Sequence, residues 1–359
     1  VSEALPMQIR LVSIPGDGVG PEVVAATLPV IQDAALMHGA GLDVLEVDWG
    51  GERHLRTGAP MPDDAAELVR SHDAVLFGAV GRPDVPDHEL VWGLIIALRQ
   101  QLDLAVNLRP VRSWENVPSV VTSAPGTDLL IVRENTEGEY TGVGGRTHRG
   151  REAELGIEVA VHSRPAIERA ARYAFEQAGR RRGQVALVTK SNAMRHGYTL
   201  WDEIVAEVAA EFPAVECQPV LVDAMAAQMI QRPAELDVLL CSNLFGDILA
   251  DLAAVLAGGM GMAPSANVSP ATTPGLFEPI HGSAPDIAGQ GIANPTACML
   301  SGAMMFDHVG LPAAGDSIRN AIAVALLDSS NHTPDLGGTG TTDGLAAAVR
   351  SALNRERNT

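Results

Sequence analysis

Apolar and polar positions change period along this chain, and the changes mark its elements. The run "QIRLVSI" reads as a strand. "PEVVAATLPVIQDAALMHG" has helical spacing, with Pro21 at its start and Gly39 at its end. "LDVLEVD" is a second strand, "PDDAAELVRSH" a second helix and "DAVLFGAV" a third strand. This βαβαβ order predicts an α/β fold with a largely parallel sheet. Farther on, "DLLIVREN", "QVALVTK" and "LDVLLCSN" are apolar strands ending in polar residues. Ligands of open α/β sheets sit beyond such ends, which makes Arg133, Glu134, Asn135, Lys190, Ser191, Asn192, Ser242 and Asn243 candidates.

Three segments break the alternation. Thr141 to Arg164 reads as two short strands around a polar turn, with a helix resuming at Pro165. A two-stranded ribbon is marginal alone and calls for a partner surface. Gly258 to Gly291 is rich in Gly and Pro and reads as loop. "GRRRG" at 179–183 reads as a solvated turn after a helix.

The 359 residues are 46% hydrophobic, enough for a sizeable core in one or two domains. A net charge of −19 argues against nucleic-acid binding, which needs a basic face. It also means that an anionic substrate must be met by locally concentrated Arg or Lys. Cys217, Cys241 and Cys298 are odd in number and far apart, as expected of a reducing compartment. "MQIRLVSIP" reads as a first strand after a short tail, Val1 to Pro6, rather than a secretory leader, and no apolar run is long enough for a membrane span. The expected location is the cytoplasm.

Several residues could carry chemistry. Asp247 and Asp251 stand i, i+4 on one helix face, which suits either a solvated surface or a divalent cation needing carboxylate oxygens. Asp223 is a possible third acid, although spacing alone does not bring it near. Arg99, Arg109 and Arg133 each admit a structural ion pair; together they suggest carboxylate or phosphate recognition. Lys190, at a strand end, is either a snorkelling cation or a base of lowered pKa. Tyr140 is one of three tyrosines and fits a core, an interface or an acid–base role. The opening "IPGDGVGPEV" has G-x-G-x-G, one residue short of the dinucleotide fingerprint, with Asp43, Glu46 and Asp48 near the spacing of a ribose-binding acid. A tight turn packing strand against helix explains it equally.

Read together, "IPGDGVGPEV", "LRQQLDLAVNLRPVR", "VRENTEGEY", "TKSNAM", "VDAMAAQM", "SNLFGDILADLA", "FEPIHGSAPDIAGQGIANPTA" and "TPDLGGTGTT" resemble the β-decarboxylating dehydrogenases, which act on isopropylmalate, isocitrate, homoisocitrate, tartrate or D-malate. The resemblance spans nearly the whole chain. It implies an isopropylmalate dehydrogenase-like two-domain fold with a mixed, mostly parallel sheet rather than a standard Rossmann fold. Residues 1–104 and 260–359 would form the large cofactor-binding domain, and 105–259 the small domain, with the dimer interface and an arm at about 141–165.

It further implies an oxidative decarboxylation of a 2-hydroxy diacid with NAD and Mg²⁺ or Mn²⁺. Arg99, Arg109 and Arg133 would clamp substrate carboxylates. Asp247 and Asp251 would bind the metal, with Asp223 from the partner of a homodimer that shares its active sites. Lys190, also from the partner, would deprotonate the hydroxyl, with Asn192 beside it, and Tyr140 would protonate the enol. His281, Gly282, Ser283, Ala284, Asp286 and Ile287 would embrace the adenosine half of the cofactor, with Asn294 at the adenine. Asp286 would accept from ribose hydroxyls and repel a 2′-phosphate, favouring NAD. The glycine turn at Gly16–Gly20 would then be a strand-to-helix joint at the cleft edge, not the pyrophosphate cradle.

The segment "HELVWGLIIALR" bears on the substrate. Gly93 and Ile95 stand where isocitrate enzymes place Ser and Asn, and Trp92 where isopropylmalate enzymes place Glu. Ile95 and Ile96 replace that group's paired leucines. "WG" with the upstream "PDH" looks more like the tartrate/D-malate group, yet Leu90 and Leu94 stand at two of that group's serines, which predicts a greasier pocket. A 3-alkylmalate therefore remains a second expectation. A silent anion-binding paralogue is a third, opposed by the full set of charged residues.

Overall fold

The computed structural model describes residues 7–269 and 274–357. The expected tail Val1–Pro6, and residues 270–273 of the Gly- and Pro-rich stretch, lie outside the described residues. The strands are β1 (Met7–Gly16), β2 (Ala40–Glu46), β3 (Ala74–Ala79), β4 (Val106–Arg112), β5 (Asp128–Glu134), β6 (Gly144–Thr147), β7 (Leu155–Glu158), β8 (Gln184–Thr189), β9 (Glu216–Leu221), β10 (Val238–Cys241), β11 (Pro264–Val268) and β12 (Gly275–Pro279). Ten of them form one sheet in the order β2-β1-β3-β12-β11-β4-β5-β10-β8-β9. Its two flanks are parallel, whereas β12, β11, β4 and β5 pair antiparallel in succession. The expected α/β class with a mixed, mostly parallel sheet is the observed one. The three antiparallel junctions make the flanks run in opposite directions. Residues 260–359 contribute β11 and β12 to the middle of this sheet, and β11 pairs directly with β4, so the sheet is continuous through both expected domain boundaries.

Successive residues of a strand face opposite sides. Thus Ile9 and Leu11 of β1 join one apolar cluster, while Val12 and Ile14 join another on the other face. Helix Gly20–Met37 covers the first cluster, burying Val23, Val24, Val30 and Ile31.

One sequence expectation is corrected and another is extended. Part of the stretch read as loop, Gly258–Gly291, supplies β11 and β12 at the centre of the sheet. "PSANV" and "GLFEP" are short and carry Pro, Ser, Asn and Glu, so no apolar run announces them; pairing on both edges overrides their weak propensity. "GRRRG" is the expected solvent-facing turn after a helix, with Gly179, Arg180 and Arg182 exposed, but it has a further role. It wraps the fully buried Asp237, which accepts from the Arg181 Nε at 2.8 Å and from the backbone N–H of Arg182 and Gln184 at 3.0 and 3.2 Å. Arg181 also reaches Asp128 at 2.8 Å. A buried carboxylate requires such partners.

β6 and β7 form the expected ribbon, and every residue of both strands is exposed in this chain. All three cysteines are free thiols, and burial raises the pKa of each. Among the described residues no helix is long and apolar enough to cross a membrane.

Candidate active site

The carboxyl ends of β5 and β10 and the middle of β4 bring three side chains onto helix Asn243–Leu256, which follows β10. The apolar run "LDLAVNL" predicts Arg109 at a strand end, but it lies at the fourth residue of β4. Its Nε donates to the Asn107 Oδ1 at 2.8 Å, its Nη2 to the Asp247 Oδ1 at 3.2 Å, and its Nη1 stands 3.8 Å from Asp251. Arg133, at the end of β5, donates from Nε to the Asn243 Oδ1 at 2.8 Å and from Nη1 to Asp247. Gly246 allows this approach, because a Cβ there would sit 2.6 Å from the Arg133 side chain. The Tyr140 hydroxyl donates to the other Asp247 oxygen at 3.1 Å, and Arg133 lies over the Tyr140 ring at 5.5 Å.

The charges follow from this packing. Burial lowers the pKa of Arg133, and the neighbouring Arg109 adds to the effect. Burial would raise the Asp247 carboxyl, but Arg133, Arg109 and Arg99 outweigh it and hold the group below the usual carboxylate range. Burial, then the Asp247 charge, raises the Tyr140 phenol, so that it keeps its proton. Asp251 is raised by burial, with the Asp247 charge adding to that against the pull of Arg109.

Arg99 closes the cluster from the other side. It donates to the Glu278 Oε1 of β12 at 2.9 Å, and Glu278 also accepts from the Asn267 Nδ2 at 2.8 Å. Asn107 donates to the Asn267 Oδ1 at 2.9 Å and to Ser265 at 2.7 Å. A buried polar chain therefore runs from Arg99 through Glu278, Asn267 and Asn107 to Arg109. Two cationic donors in it, the Arg99 Nε and the Arg109 Nη1, are buried without a hydrogen-bond partner. Such groups are costly unless a ligand satisfies them. Arg99, Arg109, Glu278, His281 and Ile95 line a cavity of about 120 Å³.

The segment before Arg99 is π-helical over Val91–Ile96, a wide turn often found at functional sites. Trp92 there packs on the turn after Tyr140: a Cβ at Gly142 would sit 3.1 Å from the indole. Gln100 donates to the Tyr140 carbonyl at 3.3 Å. Ile95 faces the cavity, whereas Ile96 is buried beside it. Leu90 and Leu94 are fully buried, so the apolar residue of this segment that lines the cavity is Ile95 instead.

The other predicted catalytic residues stand apart. Lys190 pairs with Asp223, whose side chain is 65% exposed, and Asn192 is exposed nearby. Neither Lys190 nor Asp223 contacts the arginine cluster, and among the described residues no three acids, histidines or cysteines converge on a metal-sized point. Asp247 and Asp251 offer a pair of hard oxygen ligands on one helix face, a chemistry that fits a divalent cation but leaves room for a further ligand.

On the cofactor side, the His281 Nε2 is buried without a hydrogen-bond partner, and burial lowers its pKa, so a neutral imidazole faces this space. Ala284 adopts φ of +39°, and the exposed Asp286 carboxylate meets no cation among the described residues. Gly282 is exposed, Ser283 is buried and Ile287 is half-buried. Asn294 is buried with its side chain engaged by Asp335 and the Thr296 N–H, at 3.1 and 3.0 Å. The opening glycine turn packs against this loop. The Val19 N–H donates to the Ser283 carbonyl at 2.8 Å, and a Cβ on Gly18 would lie 1.9 Å from the same oxygen. Asp17 accepts from the backbone N–H groups of Gly51 and Gly81. The turn is thus a packed strand-to-helix joint within the chain, with the Val19 amide already occupied.

Asn107, Asn267 and Glu278 were not singled out in the sequence. Their signal was a polar residue inside an otherwise buried strand, visible only once β11 and β12 are placed.

The family described as isocitrate/isopropylmalate dehydrogenase matches residues 10–349. The chain belongs to this family. A probable tartrate dehydrogenase/decarboxylase of Agrobacterium vitis is 45% identical to this isocitrate/isopropylmalate dehydrogenase family member over 353 residues, covering 96% of the chain and 98% of the relative. A 3-isopropylmalate dehydrogenase of Thermobifida fusca is 44% identical, over 90% of the chain and 93% of the relative. The crystal structure of isocitrate dehydrogenase from Methylococcus capsulatus superposes with a TM-score of 0.87 at 37% identity, covering 96% of the chain and 99% of that structure. Fold and relatives indicate a decarboxylating dehydrogenase, an oxidoreductase.

Proposed function

We propose that this family member oxidatively decarboxylates a 2-hydroxy diacid of the D-malate or tartrate type, with NAD and Mg²⁺ or Mn²⁺. The observation that carries the reading is the convergence of Arg109 and Arg133 on Asp247, joined by Tyr140, with buried cationic donors still unsatisfied on Arg99 and Arg109. Two substrate carboxylates would satisfy those donors. Asp247 and Asp251 would hold the cation, and His281 with Asp286 would hold the adenosine half. When bound, the nicotinamide accepts the hydride from C2 and the cation polarises the adjoining oxygen.

The chain's own residues do the rest. The arginines orient the diacid and offset its charge in a desolvated site. Lys190 takes the hydroxyl proton. After CO₂ leaves, Tyr140 delivers a proton to C3, a role suited to a phenol kept neutral by burial and Asp247. Lys190 and Asp223 would come from the second subunit of a homodimer. That assignment fits their exposure and the exposed ribbon, where Val143, Leu155, Ile157 and Val159 present an apolar surface. The large domain would comprise 1–104 and 260–359, and the small domain 105–259.

A second reading, a 3-alkylmalate substrate, is favoured by the apolar Ile95 in the cavity lining and by the Thermobifida relative. The test is NADH formation with Mn²⁺ on D-malate, L-tartrate, meso-tartrate and 3-isopropylmalate. Turnover led by D-malate or a tartrate is expected. A ranking led by 3-isopropylmalate selects the second reading, and no turnover on any diacid overturns both.

A further inference from the structure

A cavity near the sheet centre lies behind the candidate active site, on the opposite face of the same strands. It measures about 490 Å³, a size that suits a small organic ligand. Alternation along the strands places it there. In β4, Asn107 and Arg109 serve the site while Leu108 and Pro110 line the cavity. In β11, Ser265 and Asn267 serve the site while Pro264, Ala266 and Val268 line the cavity. In β12, Glu278 and Phe277 divide in the same way.

The floor is apolar and the rim is basic. Arg112, Arg180, Arg181 and Arg319 line the cavity against only Asp128 and Asp307. Arg181 is committed to Asp237 and Asp128, and Arg319 to Asp307 and Asp316. Arg112 lies 5.3 Å over the Trp114 ring. Arg180 has no carboxylate partner among the described residues; burial raises the Tyr173 phenol, the nearby Arg180 opposes that rise, and Glu176 and Asp307 add to it. Tyr173 and Arg180 stand where the cavity opens into a neighbouring groove.

We infer that this rear cavity binds an amphipathic monocarboxylate, its head at Tyr173 and Arg180 and its apolar body over Ala266, Phe277, Leu300 and Met304. The pairing follows from chemistry: an uncommitted guanidinium and a phenol at the mouth suit a carboxylate, and the floor offers only apolar contact. The walls come from helix Arg164–Gly179 on one side and helix Thr296–His308 on the other, so the ligand would bridge segments at opposite flanks of the sheet.

The test is titration calorimetry of the full chain with octanoate and, as the uncharged control, 1-octanol. One octanoate per chain is expected, with 1-octanol about tenfold weaker or more. Arg180→Gln, at an exposed position, should weaken octanoate about tenfold and leave 1-octanol unchanged. Met304→Trp, which fills the cavity, should weaken both. Octanoate binding that is absent, that equals 1-octanol, or that is unchanged in Arg180→Gln overturns the assignment. The last result would place the carboxylate elsewhere, such as the front arginine cluster. None of these readouts requires turnover, so their failure is separate from failure of the proposed reaction.

Discussion

Two ion-paired regions of this molecule use the same side-chain chemistry in opposite settings. Arg109, Arg133 and Asp247 are joined by Asn107, Asn243 and Tyr140, and the arginines are almost fully buried. Lys190 and Asp223 form a single pair, with Asp223 open to solvent. In the first region, removal of water makes each contact strong and each missing partner costly. An exposed pair such as the second contributes little to stability. The difference teaches that one region is satisfied within a single chain while the other presents its groups outward; under the proposed function, they would complete a site in another copy.

Breaking the buried region should have the largest effect. Arg133→Ala leaves Asp247 and Asn243 without their main donor. It should lower kcat/KM by at least about a thousandfold and destabilise the fold by about 3–5 kcal/mol, the cost of a buried pair losing one partner. Steady-state kinetics and urea unfolding measure both; a variant with near-normal values would remove the distinction between the regions. Tyr140→Phe keeps the ring under Arg133 but loses the hydroxyl, and turnover should fall by about 10²–10⁴ while NADH binding, read by fluorescence, stays unchanged.

The exposed pair is best probed by complementation. Lys190→Ala and Tyr140→Phe should each be nearly inactive alone. Mixed and allowed to exchange subunits, they should regain activity, because each mixed dimer would contain one intact site. No recovery despite proven exchange would mean that both groups act within one chain. A smaller effect is expected on cofactor choice: Asp286→Arg should reduce the preference for NAD over NADP by about tenfold, measured as a ratio of kcat/KM values.

The smallest effect concerns acid. The folded-state pKa of Asp247 is lowered, so the stability it contributes is present above the ordinary carboxylate pKa of about 3.9 and is lost as pH falls through the lower folded value. Urea midpoints should therefore drop less for Asp247→Asn than for the parent below about pH 4. Equal slopes would show that the arginines do not hold this carboxylate.

Flank strands such as β8 and β10 were legible in the sequence because they are apolar runs largely buried on both faces, as "VALVT" and "VLLC" illustrate. The centre was not. β11 and β12 exchange apolar residues for Ser265, Asn267 and Glu278, whose hydrogen bonds are long-range and leave no local period. The same reason hid Asn107. The arginines, Tyr140 and the Asp247–Asp251 pair were legible as residues, but their convergence was not, since Arg109 and Asp247 meet across 138 positions. Leu90 and Leu94 were misjudged as lining because the π-helical turn, which aims Ile95 instead, has no sequence signature of its own.

The placement of β12 between β3 and β11 has a consequence for how the chain is made. β3 ends at Ala79 and its neighbour begins at Gly275, nearly two hundred residues later. At roughly 5–20 residues per second, a ribosome needs on the order of ten to forty seconds to supply that neighbour. Through that interval the nascent amino-terminal strands carry an open edge, of the kind that invites pairing with another chain. The glycine joint at Gly18 likewise cannot close until Ser283 has emerged. The last quarter or so of the protein therefore acts as a keystone during synthesis, and the finished sheet is sealed from its middle rather than from its ends.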